Sequence, residues 1–246
     1  MSSSAGVWKI VRFNWPWYAA AGLVTVLLLC VLTAGCLLPP WSLLALTLLG
    51  LADLWLLLSL VVSHAIYDRS DVARGEWLGT APATVVAVFH FGQDEASSLV
   101  ARRLPAARRQ TFDLYEPQRT GSPSLRRARA LARHDPAVTS AAFDALPLAD
   151  GSLDLGVLAF AAHEVRDEVT RVILFRELRR TLACSGRLLV VEHLRDGWNF
   201  AAYGPGMLHF LSRRTWLRTF ARAGLQVAAE SRLTPWVRRF ELQRAP

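Results

Sequence analysis

The sequence predicts an α/β fold with a doubly wound, mostly parallel sheet of seven strands, preceded by an all-α hairpin of two membrane helices. Residues 1–67 contain two long apolar runs. The rest of the chain alternates short β-branched runs with helix-like segments, which is the pattern of a parallel sheet covered by helices. Polar residues follow the ends of several strands, where ligands bind in such sheets.

The two apolar runs have the length of membrane spans. Residues 17–38 carry no charge, which is enough to cross about 30 Å of hydrocarbon at about 1.5 Å per residue. Pro39-Pro40 ends this run, and a second one extends over 41–62, interrupted by Asp53. A cleaved signal peptide would have a shorter core and no second span. The other interpretation is a hydrophobic helical arm on the globular domain or on a dimer partner. We expect a transmembrane hairpin over 1–67, a linker over 68–83 and a globular domain over 84–246.

The charges around the two runs predict their orientation. Lys9 and Arg12 precede the first run and Arg69 and Arg74 follow the second, whereas the turn between them has no basic residue. This distribution puts both chain ends in the cytoplasm, and the bilayer is an expected partner. An ionised Asp53 facing lipid would be costly. We therefore expect it to be protonated, or paired across the hairpin or in a homo-oligomer.

Composition and motifs exclude several classes of protein. The net charge is +8, but the arginines are spread over several segments without interleaved aromatic residues, so no nucleic-acid partner is expected. The three cysteines include no CxxC pair and indicate no disulfide framework. Neither a G-x-S-x-G turn nor a G-x-x-x-x-G-K-[ST] loop is present, which argues against serine nucleophile catalysis and nucleoside triphosphate binding.

The globular domain is expected to contain seven strands and four longer helices. The last two strands are joined only by "LTP", so they should form an antiparallel pair. The strands are predicted near 84–89, 110–114, 138–142, 154–159, 186–192, 225–231 and 236–243, and the helices near 93–104, 122–134, 165–182 and 212–223.

Three stretches carry a family resemblance. They are "FDALPLADGSLDLGVLAFAAHEV" (143–165), "FRELRRTLACSGRLLVVEHL" (175–194) and "WLRTFARAGLQV" (216–227). In this order they resemble the class I S-adenosylmethionine-dependent methyltransferases of the type 11 kind, over about residues 80–243. The resemblance implies a Rossmann-like sheet and S-adenosylmethionine as the cofactor.

The resemblance also assigns cofactor-binding residues. Asp113 matches the carboxylate that accepts hydrogen bonds from the cofactor ribose. Asp144 and Ala145 match the stretch that flanks the adenine. Phe160 to His163 match the residues that line the methyl-transfer site after the fourth strand.

The sequence departs from the family in the first loop, "HFGQDEAS" (90–97). The family has a G-x-G-x-G loop there, preceded by an acidic residue in the strand. Here Gly92 is the one glycine of the loop, and His90 and Gly92 are the residues expected to meet the cofactor. Asp94 and Glu95 would repel a phosphate but tolerate a sulfonium, which argues against a dinucleotide.

Histidines and carboxylates near two neighbouring strands are the candidates for catalysis. "AAHEVR" and "VEHLRD" follow the fourth and fifth strands, so their His-Glu and Glu-His pairs are expected to face each other. His163 or His193, with Glu192, is the predicted general base. The same groups suggest a second interpretation, a metal site built from His90, His163, His193 and Glu192 with Asp94 or Glu164. No compact ligand motif supports it, so no metal is assigned.

The leading functional hypothesis is a membrane-anchored methyltransferase acting on a lipophilic or membrane-associated small molecule. Quinone-like, isoprenoid and lipid head-group acceptors fit this description. One alternative is a protein of the same fold that has lost S-adenosylmethionine and serves binding or assembly at the membrane. The other is a metal-assisted enzyme on the same fold.

Overall fold

The computed structural model describes residues 5–35, 38–119, 123–131 and 135–246. It begins with two long helices, α1 (Ala5–Thr33) and α2 (Pro39–His64). Both are long and apolar enough to cross a membrane, as judged by length and composition. Most of their large apolar side chains are exposed. Asp53 accepts a hydrogen bond from the hydroxyl of Thr25 at 3.4 Å, so it has a partner across the hairpin.

A carboxylate joins the start of α1 to the end of α2. Asp68 lies in the π-helical turn Ala65–Arg69 that follows α2. Its two oxygens accept the backbone N–H groups of Gly6 and Val7 at 2.6 and 3.0 Å. His64 Nδ1 lies 3.0 Å from the same carboxylate. Because the first N–H groups of a helix have no partner within the helix, Asp68 satisfies two of them at once.

The segment after this turn packs onto the sheet. It contains the short helix α3 (Asp71–Arg74) and a 3-10 turn, Glu76–Leu78. Val72, Trp77 and Leu78 are buried in one apolar cluster with residues of the first strand. The hairpin is thus connected to the sheet through apolar contacts as well as through the chain.

The described residues form one sheet of seven strands. The strands are β1 (Val85–His90), β2 (Arg108–Asp113), β3 (Val138–Ser140), β4 (Leu153–Ala159), β5 (Leu182–His193), β6 (Leu225–Thr234) and β7 (Val237–Arg244). Their spatial order is β3-β2-β1-β4-β5-β7-β6. Neighbours among β1 to β5 are parallel, whereas β7 is antiparallel to both β5 and β6. This confirms the predicted seven-stranded, mostly parallel sheet with an antiparallel final pair.

Five further α-helices accompany the sheet within the described residues. They are α4 (Ser97–Arg103), α5 (Pro123–Leu131), α6 (Glu168–Thr181), α7 (Gly197–Tyr203) and α8 (Arg213–Arg222). One face of the sheet is covered by α5, α6 and α8 through residues such as Leu125, Phe175 and Trp216. The other face is covered by α4 and the end of α2 through residues such as Val100 and Val62.

Some boundaries differ from the predicted ones for local reasons. Helix α4 begins at Ser97 and not near residue 93, because Asp94 accepts the N–H groups of Ala96 and Ser97 at 3.0 and 2.8 Å and forms a turn before the helix. Strand β5 begins earlier than predicted, because Leu182 already pairs with Leu153 of β4. Residues 122 and 132–134 of the predicted helix 122–134 lie outside the described residues.

Replacing Asp68 tests the connection between the two helices. Asp68→Ala leaves two backbone N–H groups without their acceptor, so we expect a loss of about 1–3 kcal/mol of stability. The measurement is thermal unfolding of the full chain in detergent. Asp71→Ala is the control, because Asp71 is half exposed and pairs with exposed Arg74; its effect should stay below about 1 kcal/mol. Equal unfolding midpoints for wild type and Asp68→Ala would contradict the assignment.

Candidate active site

A buried histidine and a buried glutamate meet where β4 and β5 end. His163 lies in a 3-10 turn, Ala162–Glu164, that follows β4, and Glu192 is the penultimate residue of β5. His163 Nδ1 is 2.7 Å from Glu192 Oε2, and the His163 backbone N–H donates to Glu192 Oε1 at 3.2 Å. The structure therefore brings together the predicted pair of His163 and Glu192.

Two more side chains extend this pair. His163 Nε2 lies 3.6 Å from Glu164 Oε1, and His209 Nε2 lies 3.7 Å from the same oxygen. Burial alone would lower the pKa of His163, but the carboxylates of Glu192 and Glu164 outweigh it and raise that pKa to about 10. Burial alone would raise the pKa of Glu164, and the two histidines outweigh it and lower that pKa. His163 thus carries a positive charge at neutral pH between two carboxylates.

Among the described residues, the side chains that could together bind a metal ion are those of His163, Glu164 and His209. Their three ligand atoms lie within 4.8 Å of one another, so a divalent cation is able to take the place of the proton on His163. The set differs from the expected one, because His209 takes part and His90 and His193 do not. We call Glu164 and Glu192, together with His163 and His209, the acidic cluster.

His193 lies on the other face of the sheet. Consecutive residues of a strand point to opposite faces, so Glu192 points towards His163 and His193 points away from it. Its Nδ1 donates to the Trp236 carbonyl oxygen at 3.0 Å, and its Nε2 accepts from the Tyr67 hydroxyl at 2.8 Å. Burial lowers the pKa of His193 to about 4. Both ring nitrogens are engaged, so neither is available to take a proton from a bound molecule.

The residue after β4 has an unusual backbone. Phe160 has a φ of +51°, in the left-handed region that non-glycine residues seldom adopt. Its N–H donates to the Val191 carbonyl at 2.8 Å, and its ring contacts those of Tyr67 and His193 with centroid distances of 5.3 and 5.1 Å. Such strained positions concentrate at functional sites. Here aromatic packing and a β5 hydrogen bond hold the strained turn in place.

In the first loop, the remaining glycine is hydrogen-bonded to the histidine that precedes the loop. Gly92, with a φ of +96°, donates its N–H to His90 Nδ1 at 3.0 Å. His90 therefore carries its proton on Nε2, and burial lowers its pKa, which the carboxylates of Asp113 and Asp94 offset in part. This buried Nε2–H has no hydrogen-bond partner among the described residues. A buried donor without a partner is a place where a ligand acceptor is favoured.

The predicted ribose ligand lies beside this loop. Asp113, the last residue of β2, is paired with His90 in the parallel register of β1 and β2. Its Oδ1 accepts the Tyr115 N–H at 3.1 Å, and its Oδ2 is bound by the guanidinium of Arg129. Arg129 also lies 4.2 Å above the Tyr115 ring and packs so closely on Gly92 that a Cβ there would collide with it.

The predicted adenine residues lie at the end of the neighbouring strand. Asp144 binds Arg119 at 2.9 Å, and Arg119 lies 4.2 Å above the Phe143 ring. Ala145 follows in a turn, donating its N–H to the Ala142 carbonyl. Both predicted cofactor carboxylates, Asp113 and Asp144, therefore have an arginine partner that the sequence pattern did not indicate.

Helix α1 covers one side of the loop. Lys9 Nζ is 3.6 Å from Glu95 Oε1, and the Arg127 guanidinium donates to the Phe13 carbonyl at 2.7 Å. Between α1 and the loop lies a cleft of about 680 Å³, a size common for small-molecule sites. Its lining is Trp8, Lys9, Val11, Arg12, Phe13, Gly92, Gln93, Asp94, Glu95 and Ala128.

Solved structures of methyltransferases share this fold. The mitomycin 7-O-methyltransferase MmcR aligns with a TM-score of 0.57 at 16% identity over 100% of this chain and 74% of its own. An S-adenosylmethionine-dependent methyltransferase from Aquifex aeolicus gives 0.54 at 14% identity over 72% of this chain and 92% of its own. The geranyl diphosphate C-methyltransferase from Streptomyces coelicolor A3(2) gives 0.51 at 20% identity over 74% and 83%. No family model and no curated protein matches the chain.

These likenesses and the strand order define the class of fold. The globular part has the Rossmann-like fold of the class I S-adenosylmethionine-dependent methyltransferases, as the three sequence stretches implied. The carboxyl edge of its parallel strands is the edge that carries His90, Asp113, Phe160 and Glu192.

The neutral, buried state of His193 predicts a loss of stability in acid. Its folded pKa lies below the ordinary value, so its contribution is complete above about pH 6.5 and is lost as the pH falls towards 4. The wild type should lose on the order of a few kcal/mol of unfolding free energy over that range. Glutamine does not titrate, so we expect the His193→Gln variant to lack this loss. The measurement is denaturant unfolding of both proteins at a series of pH values. Parallel stability curves for the two would show that His193 is not buried in its neutral form.

Proposed function

We propose that this protein is a membrane-anchored S-adenosylmethionine-dependent methyltransferase acting on a lipophilic or membrane-associated small molecule. The observation that carries the proposal is a buried donor, a turn glycine and a carboxylate together at the carboxyl edge of this fold: His90, Gly92 and Asp113. The named neighbours support the substrate class. One is a mitomycin O-methyltransferase, and another is a C-methyltransferase of geranyl diphosphate, an isoprenoid.

The residues present fit the cofactor. The buried Nε2–H of His90 calls for an acceptor, and the cofactor carries a carboxylate as well as ring and hydroxyl oxygens. A carboxylate offers about four acceptor sites. Tyr115 and Arg129 use two of those on Asp113, which leaves two for a vicinal diol. We propose His90, Gly92, Asp113, Asp144, Ala145 and Phe160 as the cofactor-binding residues.

The bound cofactor supplies an electrophilic methyl group on a sulfonium sulfur. The chain's own part is to bind and orient the acceptor and to stabilise its nucleophilic form. His163 is protonated at neutral pH, so it does not remove the acceptor's proton, which passes to water. We propose that His163 donates a hydrogen bond to the resulting oxyanion or enolate and stabilises it. Glu192 orients the imidazolium through its 2.7 Å contact.

His193 has a different proposed role. It contacts the Phe160 ring and bonds Tyr67 and the Trp236 carbonyl. We propose that it is a positioning residue, which holds the strained turn after β4 in place without touching the acceptor.

The domain organisation belongs to the proposal as well. We propose that residues 1–67 form the transmembrane hairpin, that 68–83 connect it, and that 84–246 form the catalytic domain. Lys9 and Arg12 on one side and Arg69 and Arg74 on the other favour a cytoplasmic position for the N-terminus and the catalytic domain. Both apolar helices support the spans by their length and composition.

Cofactor binding is tested by calorimetric titration of the full chain in detergent with S-adenosylhomocysteine. We expect saturable binding that Asp113→Ala weakens about tenfold or more, because a charge-assisted hydrogen-bond acceptor is lost. Asp150→Ala is the control: its side chain is 81% exposed and pairs with Arg180 on α6. Absence of heat at millimolar ligand would refute the proposed cofactor, and an unchanged affinity for Asp113→Ala would refute the ribose assignment.

The role of Glu192 is tested by label transfer from methyl-radiolabelled S-adenosylmethionine to a membrane lipid extract. Glu192→Gln keeps the shape of the side chain but removes the charge that holds the imidazolium. We expect the transfer rate to fall about 100-fold or more, with the affinity for S-adenosylhomocysteine within about threefold of wild type. Glu230→Gln on β6, which removes a surface ion pair with Arg213, should keep the wild-type rate. A wild-type rate for Glu192→Gln would exclude the role.

A further inference from the structure

One segment of the globular domain exposes large apolar side chains beside the hairpin. It comprises α7 and the 3-10 turn Gly204–His209, and we call it the aromatic segment. Trp198, Phe200 and Leu208 within it are 52%, 45% and 56% exposed. Apolar side chains this large and this close together on a surface mark an interaction site.

The aromatic segment is fastened to the middle of α2. The indole N–H of Trp55 donates to the Ala201 carbonyl oxygen at 2.8 Å. The Trp55 and Phe200 rings meet edge to face with centroids 5.3 Å apart. Gly204, with a φ of +54°, lies against the same indole, where a Cβ would come within 3.1 Å of the ring. Three separate contacts thus fix the segment at the level of Trp55.

Trp55 lies within the second apolar run, 41–62. Trp55 lies seven residues before Val62, the end of the second run, which is about 10 Å along a helix. If α2 spans the bilayer, the aromatic segment cannot remain in water, because its contacts hold it beside a membrane-embedded part of α2. The contacts with the apolar run and the exposed apolar side chains share Phe200 and point to the same position of the segment.

The other end of the segment reaches the acidic cluster. The last residue of the 3-10 turn is His209, whose Nε2 lies 3.7 Å from Glu164. Arg195 donates to the carbonyls of Leu208 and Phe210 at 2.9 Å each, and Arg166 donates to the His209 carbonyl. One short, well-anchored segment therefore connects the level of the lipid with the candidate site.

We infer that the aromatic segment is a third membrane contact, which dips into the cytoplasmic boundary of the bilayer. Trp198, Phe200 and Leu208 occupy the boundary between head groups and acyl chains, where aromatic and apolar side chains are favoured. The inference rests on the proposed hairpin and deepens the proposed function, because the segment brings the acidic cluster close to the lipid.

Site-directed spin labelling of the full chain in phosphatidylcholine–phosphatidylglycerol vesicles tests this. Cys30, Cys36 and Cys184 are first replaced by serine, and single cysteines are introduced as Trp198→Cys and Leu208→Cys. Val169→Cys, on the exposed face of α6, is the matched aqueous control, and Leu48→Cys reports on α2 itself. Collision rates with oxygen, which concentrates in lipid, and with a water-soluble nickel chelate are measured at each position. The unfolding midpoint of every variant checks that it is folded.

We expect oxygen to be favoured over the nickel chelate several-fold at positions 198 and 208, as at 48, and the reverse at 169. If position 48 is in lipid while 198 and 208 report water, the inference is wrong and the hairpin stands. If position 48 reports water as well, the proposed hairpin fails and the inference with it. Low access to both reagents together with spin–spin broadening at 198 or 208 would show that a second copy of the chain covers the segment, which also overturns the inference.

Discussion

The candidate site depends on one buried carboxylate. Glu192 is fully buried at the end of a central strand, and an ionised group in that position is tolerated only with hydrogen bonds and a compensating charge. His163 supplies both, through its backbone N–H and its protonated ring. The pairing fixes the turn after β4 against the end of β5 and so sets the positions of Phe160 and Glu164. Stability and candidate chemistry therefore rest on the same contact.

The sequence predicted the sheet well because its signals are local. Each apolar strand, each glycine or proline turn and the short "LTP" connection can be identified over a few residues, and the strand order follows from the family resemblance. Side-chain direction was harder to predict. Adjacency of Glu192 and His193 implies opposite faces, but only the structure shows that His163 joins the face of Glu192. His209 enters the cluster from 46 positions beyond His163, and no pattern links the two.

The first loop shows why a motif with missing glycines is not simply a defective one. Gly92 remains at the position with positive φ, and the His90 ring takes up its N–H. The acidic residues of the loop have partners within the protein: Asp94 accepts the N–H groups of Ala96 and Ser97, and Glu95 meets Lys9 of α1. Both side chains also line the cleft between α1 and the loop. Arg129, which pairs with Asp113 above Gly92, had no sequence signal because it depends on the placement of α5.

The hairpin and the sheet meet at the carboxyl edge of the parallel strands, and this bears on the proposed substrate. Helix α1 borders the first loop through Lys9 and Phe13, while the aromatic segment borders the end of β5 and contacts α2 through Trp55. Both flanks of this edge are thus made by, or attached to, the two apolar helices. With the proposed hairpin in the bilayer, the edge lies close to the lipid. The proposed preference for lipophilic acceptors then depends on where the site is held, in addition to the shape of its walls.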